Sequence, residues 1–167
     1  FRSADHLVVK NHLLTIVDFS LPSTAKRLWV IDPSDDRILL NTLVAQGHNT
    51  GLNIAKHFSN KIGSHESSLG LYETGSAFTS GDGYSLYLKG LEPGFNNNAA
   101  KREIIVHGAR YVSHSFIQKY KRIGRSWGCF AVGLKQITPL IHLIQDNSLL
   151  FAYDNNSDWL QHSQFLN

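Results

Sequence analysis

The first third of the chain alternates short apolar runs with polar turns. Residues 13–19, 28–32 and 38–45 are rich in Val, Ile and Leu. Runs of this length and composition are typical of β-strands. Residues 33–36, with the sequence Pro-Ser-Asp-Asp, have the composition of a turn. The pattern therefore predicts a β-meander at the start of the chain.

A polar segment interrupts the strand pattern at residues 47–68. It is rich in Gly, Asn and Ser and carries His48, His57 and His65. Segments of this kind are typical of surface loops, which often hold functional residues. We expect this segment to be a long loop that borders a cleft.

Strand-like runs return after the loop, and two later segments have helical periodicity. The additional predicted strands are residues 69–74, 84–88, 103–107 and 149–153. Helices are predicted at residues 113–123 and 134–146, and in the second of these the apolar residues recur on one face. No internal repeat or interdomain linker is visible in the sequence. We therefore predict one mainly β domain, residues 1–167, with a few short helices.

Composition narrows the possible classes of protein. Of the 167 residues, 42% are hydrophobic and 17% are charged, and the single cysteine excludes an internal disulfide. A chain of this size can bury roughly 70% of its unfolded surface without such a link. No apolar run approaches the roughly 20 residues of a membrane-spanning helix, so no integral membrane segment is expected. The net charge of +3 comes from scattered residues, and the lack of a basic stripe argues against nucleic-acid binding.

The candidate chemistry lies in a histidine and the only cysteine. An apolar strand at residues 103–107 ends in His107, and Cys129 lies 22 positions later. A free thiol, with a pKa of about 8.5, is mostly protonated at neutral pH, so a nucleophilic cysteine needs a neighbouring base such as imidazole. The predicted helix between the two residues allows the fold to bring them together. A buried structural cysteine is the alternative interpretation.

Gly128 immediately precedes Cys129. Glycine permits a tight turn and a close approach of a substrate carbonyl to the backbone. The N–H groups of Gly128 and Cys129 are therefore candidate donors to an oxyanion, and each such donor is often worth about 2.7 to 4 kcal/mol of barrier.

These residues occur in segments that resemble the catalytic domain of the L,D-transpeptidases (YkuD-like). The sequence Arg-Ser-x-Gly-Cys-x-Ala-Val at residues 125–132 is similar to the signature of the murein L,D-transpeptidase subgroup, and the His-Gly pair at residues 107–108 precedes it. The similarity extends through residues 68–75, 83–92 and 102–109. It covers most of residues 28–153.

The resemblance implies a β-sandwich or barrel-like fold and a cysteine acyltransferase that acts on peptidoglycan stem peptides. By the same resemblance Cys129 is the nucleophile, His107 is the base, and a backbone carbonyl orients His107. The thiol would attack the third-position diaminopimelate carbonyl, expel D-alanine and form a thioester. A neighbouring stem amine would then make a 3→3 crosslink, or water would give a tripeptide by L,D-carboxypeptidase action.

The implied mechanism needs no cofactor and no metal. The implied compartment is the periplasm or cell envelope, where the substrate lies. The chain begins at Phe1 and contains no methionine, so we expect a translated start, with a signal segment, upstream of this residue.

Two positions depart from the wider family, which commonly has His where this chain has Trp127 and Arg where it has Ala131. Because a guanidinium can bind a carboxylate bidentately, we expect Arg125 or Arg110 to replace the missing Arg in binding the substrate carboxylate. Further candidate substrate contacts are Gly108, Ser126 and Tyr72. The alternatives are a turn role for Ser126 and core packing for Tyr72.

Two other classes of function compete with this interpretation. The histidines of residues 47–68, with Glu66, suggest a metal site, but their spacing matches no metal-binding motif. A murein-binding module without turnover is the second alternative. The presence of both His107 and Cys129 argues against it.

Overall fold

The structure is a computed structural model that describes residues 9–167, apart from the side chain of Ser80. Residues 1–8 of the predicted domain lie outside the described part. The strands are β1 (Leu14–Asp18), β2 (Leu28–Asp32), β3 (Arg37–Thr42), β4 (Val44–Ala45), β5 (Gly70–Ser80), β6 (Gly83–Gly90), β7 (Ile105–Ala109), β8 (Phe130–Gly133) and β9 (Leu149–Tyr153). The α-helices are α1 (His114–Tyr120), α2 (Leu134–Ile144) and α3 (Ser157–His162), and short 3-10 helices lie at His48–Thr50 and Ala100–Arg102.

The nine strands of the described chain form one sheet in the order β3-β2-β1-β9-β5-β6-β7-β8-β4. The pairs β1–β9 and β7–β8 are parallel, and the other pairs are antiparallel. The first and last strands of this order, β3 and β4, are separated in sequence by Leu43 alone. The two edges of the sheet therefore lie close together, and the sheet rolls into a nearly closed barrel. This confirms the mainly β, barrel-like fold with a few short helices.

The predicted strand at residues 38–45 is two strands in the structure. Its first part pairs with β2, whereas Val44 and Ala45 pair with β8 at the other end of the sheet. The apolar run is continuous in sequence, and only the closure of the barrel requires the chain to change partners at Leu43. The prediction of a single strand at residues 38–45 was therefore wrong.

A buried arginine links β2 to β4, where the two edges of the sheet come together. Arg27, just before β2, has no exposed surface and donates from Nε and Nη2 to the carbonyl of Val44 in β4, at 3.1 and 3.0 Å. It also donates to the carbonyl of Leu21 and to the side chain of Gln46. These bonds satisfy carbonyl groups at an edge where the sheet ladder is short.

A long hairpin of β5 and β6 extends beyond the predicted strands. The prediction ended the first strand at residue 74, but the structure continues it to Ser80, with an irregular register between Thr74 and Ala77. Gly81 and Asp82 alone connect the two strands, a loop length that is common in β-hairpins.

Helix α2 covers one face of β6, β7 and β8. Its buried residues are Ile137, Leu140, Ile141 and Ile144. They are the residues of the predicted apolar face. A Cβ added to Gly108 in β7 would lie 3.1 Å from Ile137 Cγ2 and 3.2 Å from Leu134 Cδ2. Gly108 therefore allows the helix to pack closely against the sheet.

The C-terminal helix α3 was not predicted, because its short apolar content is interrupted by polar residues. It buries Trp159 completely. The Trp159 indole N–H donates to Glu92 Oε2 at 3.1 Å, and Glu92 Oε1 accepts from the N–H of Leu71 at 2.7 Å. This buried carboxylate therefore joins α3 to the sheet.

Candidate active site

Two adjacent parallel strands bring His107 and Cys129 to the same groove. His107 in β7 is in register with Ala131 in β8, and Cys129 lies two residues before Ala131. Cys129 itself lies in the turn that leads into β8, so His107 and Cys129 are separated by one strand spacing across the sheet and by two residues along it. Both line a groove of about 1210 Å³.

His107 is held in one orientation by the backbone. The residue is 6% exposed, and its Nδ1 lies 3.1 Å from the carbonyl oxygen of Gly108. A carbonyl only accepts, so Nδ1 carries the hydrogen of this bond and Nε2 keeps its lone pair. The backbone contact expected for His107 is present, and it leaves Nε2 as the basic atom.

Cys129 is partly exposed and its thiol is protonated in this arrangement. Sγ donates to the carbonyl of Glu103 at 3.5 Å. Burial raises the pKa of the thiol, and the negative charges of Asp82 and Glu103 raise it further, whereas the N–H of Ile105 and the charge of Arg102 act in the opposite direction. The thiol therefore starts neutral and needs a base to remove its proton.

The turn before Cys129 requires glycine. Gly128 has φ of +119°, and a Cβ at this position would lie 2.8 Å from the carbonyl oxygen of Glu66. The hydroxyl of Ser126 donates to the carbonyl of Cys129 at 2.6 Å and accepts from the N–H of Gly128 at 3.2 Å. These bonds favour the turn role for Ser126, although Ser126 also lines the groove.

The β5–β6 hairpin forms one wall of the groove. Phe78 and Tyr87 stack on it with ring centroids 3.8 Å apart, and Asp82 lies at its tip. Lys89 and Glu73 form an ion pair at 3.5 Å on the same hairpin and also line the groove. The groove thus combines aromatic surface with charges of both signs.

Arg102 is a residue that sequence reasoning missed. Its Nη1 donates to the carbonyl of Ser59 and the hydroxyl of Ser68, and its Nη2 donates to the hydroxyl of Ser64 at 3.1 Å and to the carbonyl of Glu66. This guanidinium fixes the polar loop at residues 59–68 behind the turn at Gly128. The only sequence signal was its place just before the strand that carries His107.

The predicted loop at residues 47–68 supports the groove from behind. Within the described chain, none of its residues is among those that line the groove. It acts instead through Arg102 and through His65, which stacks against Trp127 on the groove rim. The expected border with the cleft is therefore indirect.

The two arginines predicted to bind the substrate carboxylate lie in different pockets. Arg125 lines the groove, and its Nη1 donates to the carbonyl oxygens of His48 and Gly51. Arg110 instead lines a second, smaller pocket beside the start of α2. The structure therefore brings Arg125, but not Arg110, to the groove.

Tyr72 and Gly108 are packing residues in this structure. The ring of Tyr72 has no exposed surface, its hydroxyl donates to the carbonyl of Ser68 at 2.9 Å, and burial raises its pKa. The substrate contact expected of Tyr72 is therefore corrected to a core role. Gly108 faces α2, so only its carbonyl reaches the site, through His107.

Within residues 9–167, no three His, Cys, Asp or Glu side chains are grouped so that they could hold a metal ion. The same part of the chain contains no helix that is long and apolar enough to cross a membrane.

The fold and the groove define a class: a barrel-like β domain that presents a histidine from one strand and a cysteine from the turn before the adjacent parallel strand. A family model described as the L,D-transpeptidase catalytic domain matches residues 2–153. The chain belongs to this family, as the sequence resemblance predicted. No curated protein matches the chain at a significant level.

Solved structures of low sequence identity share the fold. The helical cell shape determining protein Pgp2 from Campylobacter jejuni superposes with a TM-score of 0.54 at 15% identity, covering 88% of this chain and 48% of that one. The L,D-transpeptidase LdtMt1 in complex with imipenem superposes with a TM-score of 0.51 at 13% identity, covering 86% of this chain and 59% of that one. This chain spans about half the length of Pgp2 and less than two thirds of LdtMt1.

Proposed function

We propose that this protein is a cysteine acyltransferase of peptidoglycan stem peptides, an L,D-transpeptidase that forms 3→3 crosslinks. The observation that carries the proposal is that His107, in β7, and Cys129, in the turn before β8, line one groove, with Nε2 of His107 left basic by the Nδ1 bond to Gly108. Membership of the L,D-transpeptidase catalytic domain family supports the same chemistry.

In the first half-reaction, Nε2 of His107 takes the proton of Cys129 while Sγ attacks the carbonyl carbon of the third-position diaminopimelate. The tetrahedral intermediate collapses by breaking the C–N bond to D-alanine. The imidazolium returns its proton to the departing amine. Free D-alanine and a thioester on Cys129 result.

In the second half-reaction, the side-chain amine of a diaminopimelate on a neighbouring stem attacks the thioester. His107 accepts the proton of this amine, and the C–S bond breaks. The proton then passes from His107 to the thiolate, which restores the thiol of the resting site. Attack by water instead gives a tripeptide, the L,D-carboxypeptidase alternative.

Backbone N–H groups beside the nucleophile would stabilise the oxyanion. We assign this role to Gly128 and Cys129, where the positive φ of Gly128 turns the backbone tightly before Sγ. The N–H of Gly128 donates to the Ser126 hydroxyl at 3.2 Å, at the long end of the usual range, and would exchange this partner for the oxyanion.

Arg125 is our candidate for binding a substrate carboxylate. It lines the groove, and in the described part of the chain Nη1 is the only nitrogen of its guanidinium with a hydrogen bond to protein. Arg102 is less suited because both of its terminal nitrogens are bound to the loop at residues 59–68. A two-point contact from Nε and Nη2 would suit a carboxylate.

The substrate also indicates where the protein acts. Peptidoglycan lies outside the cytoplasmic membrane, so we place the activity in the periplasm or cell envelope. The mechanism requires no cofactor.

Mass spectrometry of purified disaccharide-tetrapeptide after incubation tests this function. Wild-type protein is expected to yield crosslinked dimer and free D-alanine, Cys129→Ala neither, and His107→Ala product at a rate lower by about 100- to 10,000-fold. The control is His114→Ala, an exposed histidine outside the groove. Tripeptide without dimer would make the protein an L,D-carboxypeptidase. Unchanged substrate with the wild-type protein would contradict both and favour the murein-binding module.

A further inference from the structure

Trp127 is the most exposed large hydrophobic residue of the described chain, at 73% of its surface. It lines the groove beside Cys129 and Arg125. One face of its indole stacks against His65, with ring centroids 4.9 Å apart and planes 11° from parallel. Because the residue is nevertheless mostly exposed, the other face of the indole is open at the rim of the groove.

Hydrogen bonds hold the backbone beside both members of this stacked pair. The N–H of Ser126 donates to the carbonyl of Gln46 at 3.0 Å, and the carbonyl of Ser126 accepts from the N–H of His48 at 2.7 Å. On the other side, the carbonyl of His65 accepts from the N–H of Asn49 at 3.1 Å. Arg102 binds the residues immediately before and after His65. An aromatic surface that is both exposed and held in place binds a ligand with little loss of conformational entropy.

The chemistry of the ligand follows from this surface and its position. One face of a pyranose ring carries a patch of C–H groups with hydroxyls around its edge, which matches a flat indole face that has an N–H donor at its rim. Trp127 is two residues from Cys129, so the two Cα atoms are at most about 7 Å apart. In a disaccharide-tetrapeptide the lactyl group, the first two stem residues and the backbone of the third separate the sugar from the attacked carbonyl. The Trp127 side chain must therefore add its own length to the Cα separation in order to reach the sugar.

We propose that Trp127, backed by His65, is a platform that stacks on a sugar ring of the substrate's glycan portion. This inference rests on the proposed peptidoglycan substrate, which it divides into a peptide part at Cys129 and a sugar part at Trp127. The platform would make the enzyme prefer stems attached to glycan over free stem peptides.

Binding in the absence of turnover tests the platform. In the Cys129→Ala protein, we expect the peptide-free disaccharide N-acetylglucosaminyl-N-acetylmuramic acid to shift the NMR signal of the Trp127 indole N–H. Trp127→Ala in the same background is expected to weaken binding of disaccharide-tetrapeptide by about tenfold, the scale of burying one large side chain. It should leave the affinity for sugar-free tetrapeptide unchanged. Trp127→Phe, which keeps a flat face, should retain most of the sugar affinity.

Equal weakening for both ligands would overturn the proposal, since Trp127 would then contact the peptide or orient the turn. Unchanged affinity for the disaccharide ligand would overturn it as well. A shift of the Trp127 signal with phosphatidylglycerol vesicles but not with the disaccharide would replace the sugar by a lipid surface. Disaccharide binding through Trp127 in a protein whose wild type turns over no tetrapeptide would support the platform and contradict the acyltransferase.

Discussion

At the residue scale, the surroundings of Cys129 favour a neutral thiol over a stored thiolate. Its hydrogen bond goes to the carbonyl of Glu103, and burial and the nearby carboxylates raise its pKa. A neutral Cys129 thiol resists oxidation and unwanted alkylation, because the thiolate is the reactive form. Proton transfer then coincides with attack on a bound substrate.

Removing the charge of Asp82 should make this thiol more reactive. Because the negative charge of Asp82 raises the pKa of Cys129, Asp82→Asn should lower that pKa and speed alkylation at neutral pH. The rate of iodoacetamide labelling against pH measures this directly, since Cys129 is the only cysteine. Asp35→Asn, an exposed carboxylate outside the groove, is the control. Identical pH profiles for wild type and Asp82→Asn would contradict the assigned electrostatics.

Substitution of Gly128 tests the assignment of the backbone N–H groups that stabilise the oxyanion. Gly128→Ala places a methyl group 2.8 Å from the carbonyl of Glu66 on a backbone with φ of +119°. We expect kcat/KM to fall by at least about 100-fold, the scale of losing one oxyanion donor. Gly63→Ala is the matched control, because Gly63 has φ of +74° but nothing within 4 Å of its Cβ position. It should cost only about 1 kcal/mol of stability and no activity, and equal effects of the two variants on activity would refute the assignment.

At the scale of elements, Arg27 joins the strands at which the barrel closes. Arg27 is buried between β2 and β4, where burial lowers its pKa to about 9 and leaves it charged at neutral pH. The ring of Phe19 lies 5.1 Å from its guanidinium carbon. The charge is thus stabilised by carbonyl groups, an aromatic face and the negative charges of Asp18 and Asp154.

Arg27→Leu should therefore destabilise the fold strongly. It leaves the carbonyls of Val44 and Leu21 without their donors, and each buried unsatisfied group costs about 1 to 3 kcal/mol. We expect the free energy of unfolding in urea to fall by about 3 kcal/mol. Arg37→Leu, which removes an exposed ion pair with Asp35, should change it by less than about 1 kcal/mol. Similar losses for both variants would show that Arg27 does not close the barrel.

The elements that sequence predicted well are those with a local signal. Apolar runs of strand length gave β1, β2 and β9, and the repeat of apolar residues gave α2, because burial on one face leaves a periodic pattern. The division of residues 38–45 into β3 and β4 has no such signal, since both parts are apolar and only the strand order separates them. Helix α3 is six residues long, too short for a repeat to be visible.

At the scale of the whole molecule, the order of the strands in the sheet brings the residues of the site together. His107 and Cys129 could be singled out from residue chemistry and family resemblance. Asp82 and Arg102 could not, because the β5–β6 hairpin reaches the groove, and Arg102 meets the loop at residues 59–68, only in the folded sheet. Tyr72 was misassigned for the same reason: the sequence showed an aromatic residue in a strand but not which face of the barrel it occupies.

The domain extends past the end of the family match at residue 153. Trp159 in α3 is fully buried and bonded to Glu92. We expect Trp159→Ala to lower the free energy of unfolding by about 3 to 5 kcal/mol while thermal unfolding remains one cooperative transition. The same substitution at exposed Trp127 should have little effect on stability. A separate early transition in wild-type protein would instead make α3 an appendage and contradict the predicted single domain.

In the proposed mechanism, Cys129 carries the acyl group of the stem peptide. Intact-protein mass spectrometry after rapid mixing with disaccharide-tetrapeptide and an acid quench tests it directly. We expect an adduct of one disaccharide-tripeptide acyl group on Cys129, released by hydroxylamine as a thioester would be, and absent from Cys129→Ala. Release of D-alanine by the wild-type protein with no adduct at any time, and the same release by Cys129→Ala, would contradict it.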